Sequence, residues 1–546
     1  MNTKNGVLRI RNWLKEIDWK LLVFLLLFLN VKLAVKVAAI IIVFLMQPDF
    51  TFDFRWKDSR LPLFYPFICL IAIINLIIYQ GFFQVNYDVV FIVGMAHWLL
   101  CLLAIHQLKA FTEKQNPHII YRTIAVFFII NSLWSFVQIT QIILETGAIN
   151  PYRYQGEFQK YFISTGDYIK GITFDTSTTN AALNAFGIIF FLYKRNILMV
   201  LLCMTTLLMA ASNLVNILLI ATFAALFAFK IDKDQKSIII ACCLFMAIFF
   251  GKISPQNGNY IMETLERITN KKLIARQQPV KEIPITEQPD NQLTTEQRKE
   301  KIATLYLDSI RKIRYQNYFS DSKEKKQSFE FANYVNGRPT IPQANIHSAP
   351  YQHRNDTNAV RKELLQFISE HTKITTASNH HSIASIGKLL ALNQTIHFFE
   401  QNPQKLMTGA GMGNFSSKLA FRTTALHFAG GYPAKFAYMH PDFEENHLGL
   451  YLSYFSKTAD EHSITNSPNS VYDQLISEYG ILGFGVFLIF YAGYILKSYR
   501  KLSYGLPLAC ILFSLFFIDY WFEQLSIVIL FELLLLLDKK EALLKQ

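Results

Sequence analysis

His462-Ser463-Ile464-Thr465-Asn466-Ser467-Pro468-Asn469-Ser470-Val471-Tyr472-Asp473-Gln474-Leu475-Ile476-Ser477-Glu478-Tyr479-Gly480-Ile481-Leu482-Gly483 is where a long polar segment turns into an apolar one. Ser467 or Asn466 suits a helix N-cap, and Pro468 then takes the first helical position, where a missing N–H costs nothing. Asn469, Asp473 and Ser477 recur at i+4 and would share one helix face. Beyond Gly480 and Gly483 the run stays mostly apolar to Lys497. The stretch therefore reads as a membrane helix that starts at a water interface. A polar helix start with a positive dipole end suits an anionic headgroup. An ordinary capped membrane helix, with glycines for close packing, explains the same residues.

Working outward, the rest of the 546-residue chain agrees with a membrane setting. It is 52% hydrophobic, and many runs approach the roughly 20 apolar residues needed to cross a bilayer. Crossings are expected near 62–80, 87–108, 119–144, 178–193, 196–211, 213–230 and 237–251, and again near 471–497, 504–519 and 522–538. The run from Leu21 to Met46 carries Asn30, Lys32 and Lys36 at its middle. A lysine at the bilayer centre costs roughly 2.5–3.5 kcal/mol, so two short helices in a hairpin, with the lysines reaching an interface, compete with one tilted helix.

Charge gives orientation. Lys109 and Lys114, Lys194-Arg195, Lys230 with Lys233 and Lys236, Lys497 with Arg500 and Lys501, and Lys539-Lys540 mark cytoplasmic ends. Counting crossings between them places 145–177, the Ser212-Asn213 turn and the polar segment together on the outer face, and the parity favours the hairpin. The fold class expected is a polytopic α-helical membrane protein of about 11–12 transmembrane segments. Its parts are a basic cytoplasmic leader (1–19), an N-terminal transmembrane bundle (20–251), a large, mostly α-helical extracytoplasmic loop domain (252–467), three C-terminal helices (468–538) and a cytoplasmic tail (539–546). No removable signal peptide is apparent.

The formal net charge of +13 fits anionic lipids or a phosphate-bearing substrate; nucleic acid is not expected, because no basic-aromatic module is present. All six cysteines fall in apolar runs, which argues against a disulfide framework or a cysteine zinc site in the polar segment. Within that segment, 253–380 shows no chemistry. Residues 383–465 are different. Ile386 to Phe399 reads as an amphipathic helix, Asn402-Pro403 breaks it, and Thr408-Gly409-Ala410-Gly411-Met412-Gly413-Asn414-Phe415 forms a glycine-rich turn. Gly409, Gly411 and Gly413 would let backbone N–H groups approach a phosphate, and Lys418 with Arg422 at i+4 adds charge. Tyr432, Phe436, Tyr438, Phe443, Tyr451 and Tyr454 suit either sugar stacking or a small hydrophobic core.

The glycine turn after Asn-Pro, the large outward loop, and an Asn-Ser that precedes Gly480-Ile481-Leu482-Gly483 resemble the O-antigen ligase/O-antigen polymerase superfamily of bacterial envelope glycosyltransferases. The resemblance is best over 388–497, with support from Lys170-Gly171-Ile172-Thr173-Phe174 and Asn180. It implies transfer of a polyprenyl-diphosphate-linked glycan to an acceptor hydroxyl at the outer face of the inner membrane. The acceptor would be lipid A-core, another glycan or a protein. Neither metal nor other cofactor is implied. Two family positions differ. Asn469 stands where the family has its proposed base histidine, and an amide cannot take a proton at neutral pH. Ser212-Asn213 stands where a Ser-Arg is expected.

Arg422 matches the family's arginine after the turn, and Lys418 and Lys170 would supplement it on the diphosphate. For the base, His462 comes first, then Asp473, with His440 and His447 in the same stretch; Asn469 would position an oxygen. The alternatives are a repeat-unit polymerase, a non-catalytic envelope-assembly scaffold and a lipid-linked glycan transporter, although no internal repeat supports the last.

Overall fold

The computed structural model describes residues 16–54, 61–79, 81–153, 165–229, 231–255, 387–424, 431–454 and 467–545, with scattered positions between 286 and 305. The described residues are helical and contain no β-strand. Each expected crossing falls on a helix. Tyr87–Lys114, Pro117–Thr146, Lys233–Ile253 and Val471–Leu496 are long and apolar enough to cross a membrane, and six shorter apolar helices accompany them. Within 253–380 the sequence reads as helical at 295–316 and 358–371, and both stretches lie almost wholly outside the described residues.

The chain divides into two compact units. The first comprises Met1–Ile71, Met95–Ile268 and Gly483–Gln546. Its apolar run at 21–46 is two helices, Trp19–Phe28 and Leu33–Met46, as parity favoured. Asp18 caps the first through the N–H groups of Lys20 and Leu21. Lys32 is exposed in the connecting turn, but Lys36 does not reach an interface, being 1% exposed. Its ammonium donates to the Phe28 carbonyl at 2.8 Å, the C-terminal end of the preceding helix, where a cation meets orphan carbonyls and the negative dipole end.

Cap chemistry marks the long helices. Asn116 with Pro117 opens Pro117–Thr146, left-handed Gly147 closes it, and an Asp232–Gln235 capping box opens Lys233–Ile248. The charged ends gather. Lys194 pairs with Glu541, Arg195 with Asp232, and Lys540 donates to the carbonyls of Thr112 and Gln115. At the other end of the same helices, Asn150 donates to the Ile253 carbonyl and Arg153 to that of Lys252. The last helix, Ser526–Leu544, has every residue from Ser526 to Asp538 buried. It runs past 538, so the expected tail is the bonded end of a helix.

The second unit comprises Ala72–Gly94 and Thr269–Leu482. Helix Gly387–Gln401 matches the expected amphipathic one and ends at Asn402, where Pro403 opens a 3-10 turn. Phe398, Phe399, Ala410 and Phe415 form a core with Leu406 and Ile476, and Leu76, Tyr87, Val90, Leu419 and Tyr438 form a second. Of the aromatic stretch, Tyr438, Phe443 and Tyr451 are buried and belong to the packing. Helix Val471–Phe487 starts later than the cap reading expects. Ser470 supplies its first carbonyl to the Gln474 N–H, and Pro468 and Asn469 precede it. Asn469 is therefore not on the helix face of Asp473 and Ser477, and the expected i+4 triplet reduces to that pair.

Candidate site around the glycine turn and the broken helix

Gly480 has φ 68° and ψ −168°, a region open essentially to glycine alone, and it breaks the helix. A break strands N–H groups on one side and carbonyls on the other. The 406–411 backbone supplies both partners. Ile481 and Leu482 donate to the carbonyls of Leu406 and Met407 at 3.0 and 3.1 Å. On the other side, Ala410 and Gly411 donate to the carbonyls of Ser477 and Glu478 at 2.8 and 3.1 Å. Such contact needs bare backbone. A Cβ on Gly409 would lie 2.3 Å from the Glu478 carbonyl carbon, and one on Gly480 would lie 2.4 Å from the Met407 oxygen.

Gly409, Gly411 and Gly413 all have positive φ (83°, 93° and 75°), as a nest of converging N–H groups requires. The anion in that nest is the protein's own. Glu478, fully buried, accepts from Gly413 N at 2.8 Å on one oxygen and from Phe415 N and Ser417 N at 3.2 and 3.0 Å on the other. Of the three glycine N–H groups expected to face a phosphate, Gly413 N is held by this carboxylate, Gly411 N by the Glu478 backbone carbonyl and Gly409 N by that of Lys405. Around the turn, the Asn75 amide donates to Thr408 O at 2.6 Å and Glu478 O at 3.3 Å, and the Tyr87 hydroxyl to Met412 O.

Directly after the turn, Ser417 caps helix Lys418–Thr423 through the Ala420 N–H. Lys418 and Arg422 lie on it at i and i+4, both half-buried. The Arg422 guanidinium has no hydrogen-bond or ion-pair partner among the described residues. Phe421, between them, stacks on Tyr451 with ring centroids 4.3 Å apart.

Asp473 is buried at 2% exposure and bonded through both oxygens. Thr395 Oγ1 donates to one at 2.6 Å, and His447 Nε2 lies 3.1 Å from the other. His447 is itself buried, 4.7 Å from the Phe415 ring, and its Nδ1 has no hydrogen-bond partner among the described residues. A carboxylate so held orients an imidazole more readily than it takes a proton from a hydroxyl. Nearby, His440 caps Pro441–Asn446 by accepting from Asp442 N at 3.2 Å, and Lys405 pairs with Asp442 at 2.5 Å. Burial pushes the His440 imidazole down to about 4, against the pull of Asp442. Lys388 gathers the approach to the broken helix, donating to Ser467 Oγ at 3.0 Å and to Asn469 O at 2.6 Å.

The other expected residues fall elsewhere. His462 lies outside the described residues. Lys170 belongs to the first unit. Burial lowers its pKa while Asp175 and Asp167 oppose the shift. It opens a buried polar network in which Gly171 N donates to Gln138, Ile172 N to Asn131, and Asn131 to Asn180 at 2.9 Å. Sequence reasoning passed over Glu478, Thr395 and Lys388 and did not pair His447 with Asp473. Only Glu478 carries a local signal, as an acid two residues before a glycine in an apolar helix. Among known proteins, no family model, curated sequence or solved structure matches this chain.

Proposed function

We propose that the chain is a multi-pass inner-membrane glycosyltransferase of the O-antigen ligase type. It would join a polyprenyl-diphosphate-linked glycan to an acceptor hydroxyl at the outer face. The observation that carries this reading is the Lys418/Arg422 pair, two half-buried cations one helical turn apart on a helix whose Leu419 packs against Tyr87 and Val90 at the start of Tyr87–Lys114. Developing charge on a leaving diphosphate needs fixed cations, and a guanidinium holds two phosphate oxygens in one plane. The broken helix adds support, since the N–H and carbonyl groups stranded at Gly480 are paired by the 406–411 backbone, as a break beside a bilayer requires. Gly409, Gly411 and Gly413 serve this reading indirectly, by fixing the helix that bears the cations.

The test is glycan transfer in membranes at matched protein abundance. Arg422→Ala should abolish transfer and Arg422→Lys should restore part of it, because a fork becomes a point charge. Full activity in Arg422→Ala overturns the diphosphate role. The base is tested in the same assay, where its loss should cost roughly 10²–10⁴-fold. His462→Ala tests the first candidate, and His447→Gln, which keeps a donor for Asp473 and loses the basic nitrogen, tests the buried pair.

One observation favours a second reading. The nest donors are taken by Glu478 and the Lys405 carbonyl, and Asp473 is fully bonded, as suits a non-catalytic scaffold of envelope assembly. Envelope glycans of a deletion strain separate the cases. Free lipid-linked polymer indicates a ligase, and single-repeat chains indicate a polymerase. Unaltered glycan linkage, with wild-type behaviour of the Arg422 and His variants, leaves the scaffold.

A further inference from the structure

From Leu61 to Tyr87 the chain has no charged residue. This stretch holds helix Phe64–Ile78, the 3-10 turn Gly81–Phe83 and the first residue of the next helix. A turn between two helices normally sits in water and carries polar groups. Here the turn is uncharged, and its polar side chains Gln84 and Asn86 are taken up by the protein: Tyr438 Oη donates to Gln84 Oε1, and Asn86 donates to the Ala437 carbonyl.

Within the second unit, the hairpin 72–94 has two unlike faces. One is bonded to the glycine turn. Asn75, 1% exposed, donates to Thr408 O, Tyr79 Oη lies 3.0 Å from Thr408 Oγ1, and Tyr87 donates to Met412 O. Ile77 and Ile78 lie on the other face at 61% and 55% exposure, and the turn continues it with Phe82 at 65%, Phe83 at 83% and Val85 at 81%. These five exposed apolar side chains make a tip that leads into Tyr87–Lys114, a helix long and apolar enough to span a membrane, with exposed Asp88 in its first turn. Helix Phe64–Ile78 has 15 residues. At 1.5 Å each it rises about 22 Å, short of a ~30 Å hydrocarbon layer, and the tip extends its apolar reach.

We propose that the tip formed by Ile77, Ile78, Phe82, Phe83 and Val85 is immersed in the hydrocarbon of a lipid bilayer. The occupant of this surface is lipid rather than protein, because the five exposed side chains are all apolar, the tip leads into a membrane-length helix, and the turn's Gln84 and Asn86 are bonded to Tyr438 and Ala437, leaving Asp88 as the nearest charge in sequence. The glycine turn and the break at Gly480, bonded to the hairpin's other face, then lie at the membrane edge. Lys418 and Arg422 follow within a few residues, at the depth of lipid headgroups and of a lipid-borne diphosphate. The inference rests on the membrane part of the proposed function and not on glycosyl transfer.

The experiment uses full-length protein in phospholipid nanodiscs, with the two exposed cysteines, Cys243 and Cys510, replaced by serine. An environment-sensitive fluorophore is placed at Phe83→Cys, at Val85→Cys and, as a membrane control, at Leu244→Cys, whose side chain is 60% exposed on helix Lys233–Ile248. All three side chains are exposed, so the substitutions remove no packing. The expected result is quenching at 83 and 85 by brominated phospholipid, as at 244, with little quenching by aqueous iodide. Iodide quenching at 83 and 85 alone overturns the inference. Shielding of those two sites from both quenchers also overturns it and points to a protein partner or a second copy. Iodide quenching at 244 as well removes the membrane reading together with the inference.

Discussion

Glu478 is a buried carboxylate that three backbone N–H groups turn into a structural part. Its two oxygens are both acceptors, for Gly413 on one side and for Phe415 and Ser417 on the other. Glu478→Gln keeps the shape but turns one acceptor into a donor facing a donor. An unsatisfied buried group costs about 1–3 kcal/mol, so the variant should be less stable in detergent by that amount and melt at a lower temperature. An unchanged melting temperature would show that the turn does not depend on the carboxylate. His440 gives a pH dependence. Its folded pKa of about 4 lies below the ordinary value of 6.5, so the folded state favours the neutral ring. The stability it contributes is present above pH 6.5 and is lost as pH falls through 4. At one pKa unit per 1.36 kcal/mol, the loss is on the order of 3 kcal/mol. His440→Asn keeps an N-cap acceptor and cannot titrate, so it should melt with a flatter profile across this window. Identical pH profiles for the two proteins would refute the assignment.

At the scale of the element, the break at Gly480 is where sequence and structure part company. The apolar runs, the Asn402-Pro403 stop and the Asn116-Pro117 start were legible because each is a local signal of hydropathy or cap chemistry. Gly480 was legible only as a glycine, and close packing explains a glycine in a membrane helix as well as a break does. What decides between them is the backbone of residues 406–411, more than 65 positions away in sequence, and pattern reasoning has no access to that pairing. The same holds for Asp473. Its spacing from Ser477 placed it on a polar face, but the side chains that bind it come from elsewhere: Thr395 from helix Gly387–Gln401, and His447 from the turn between Pro441–Asn446 and Leu448–Tyr454. The helix start was misjudged because Ser467-Pro468 has good cap chemistry, while Lys388 holds that segment outside the helix. Gly480→Ala tests the splint. Its dihedrals alone cost on the order of 1–3 kcal/mol for a residue with a side chain, and the Cβ clash with Met407 adds to this. The variant should be clearly less stable than Gly485→Ala, since a Cβ at Gly485 meets nothing within 4 Å. Equal melting temperatures for the two would mean that the break relaxes freely.

For the whole molecule the open quantity is orientation, and the first unit supplies a physical basis for predicting it. Lys194, Arg195 and Lys540 are tied to Glu541, Asp232 and the carbonyls after Leu108, so the basic loops meet at one end of the helices rather than alternating between ends. The opposite end joins Asn150 and Arg153 to Lys252 and Ile253. Lysine- and arginine-rich short loops stay cytoplasmic because the membrane potential and anionic inner leaflet oppose their export. Reporter fusions at Lys233 and Arg500 should therefore read cytoplasmic, and fusions at Asn150 and Gln292 external. The fusion at Gln292 decides most, because Lys418, Arg422 and the glycine turn follow it in the same polar segment. A cytoplasmic signal there would put the cations on the face where nucleotide-sugar chemistry, not lipid-diphosphate transfer at the outer leaflet, is available. The glycosyltransferase reading would then fall even if Arg422 proved essential, since an arginine can hold phosphate on either side. External signals at both sites, with cytoplasmic ones at Lys233 and Arg500, would leave an odd number of crossings between Lys233 and Gln292, which the single helix Lys233–Ile253 satisfies.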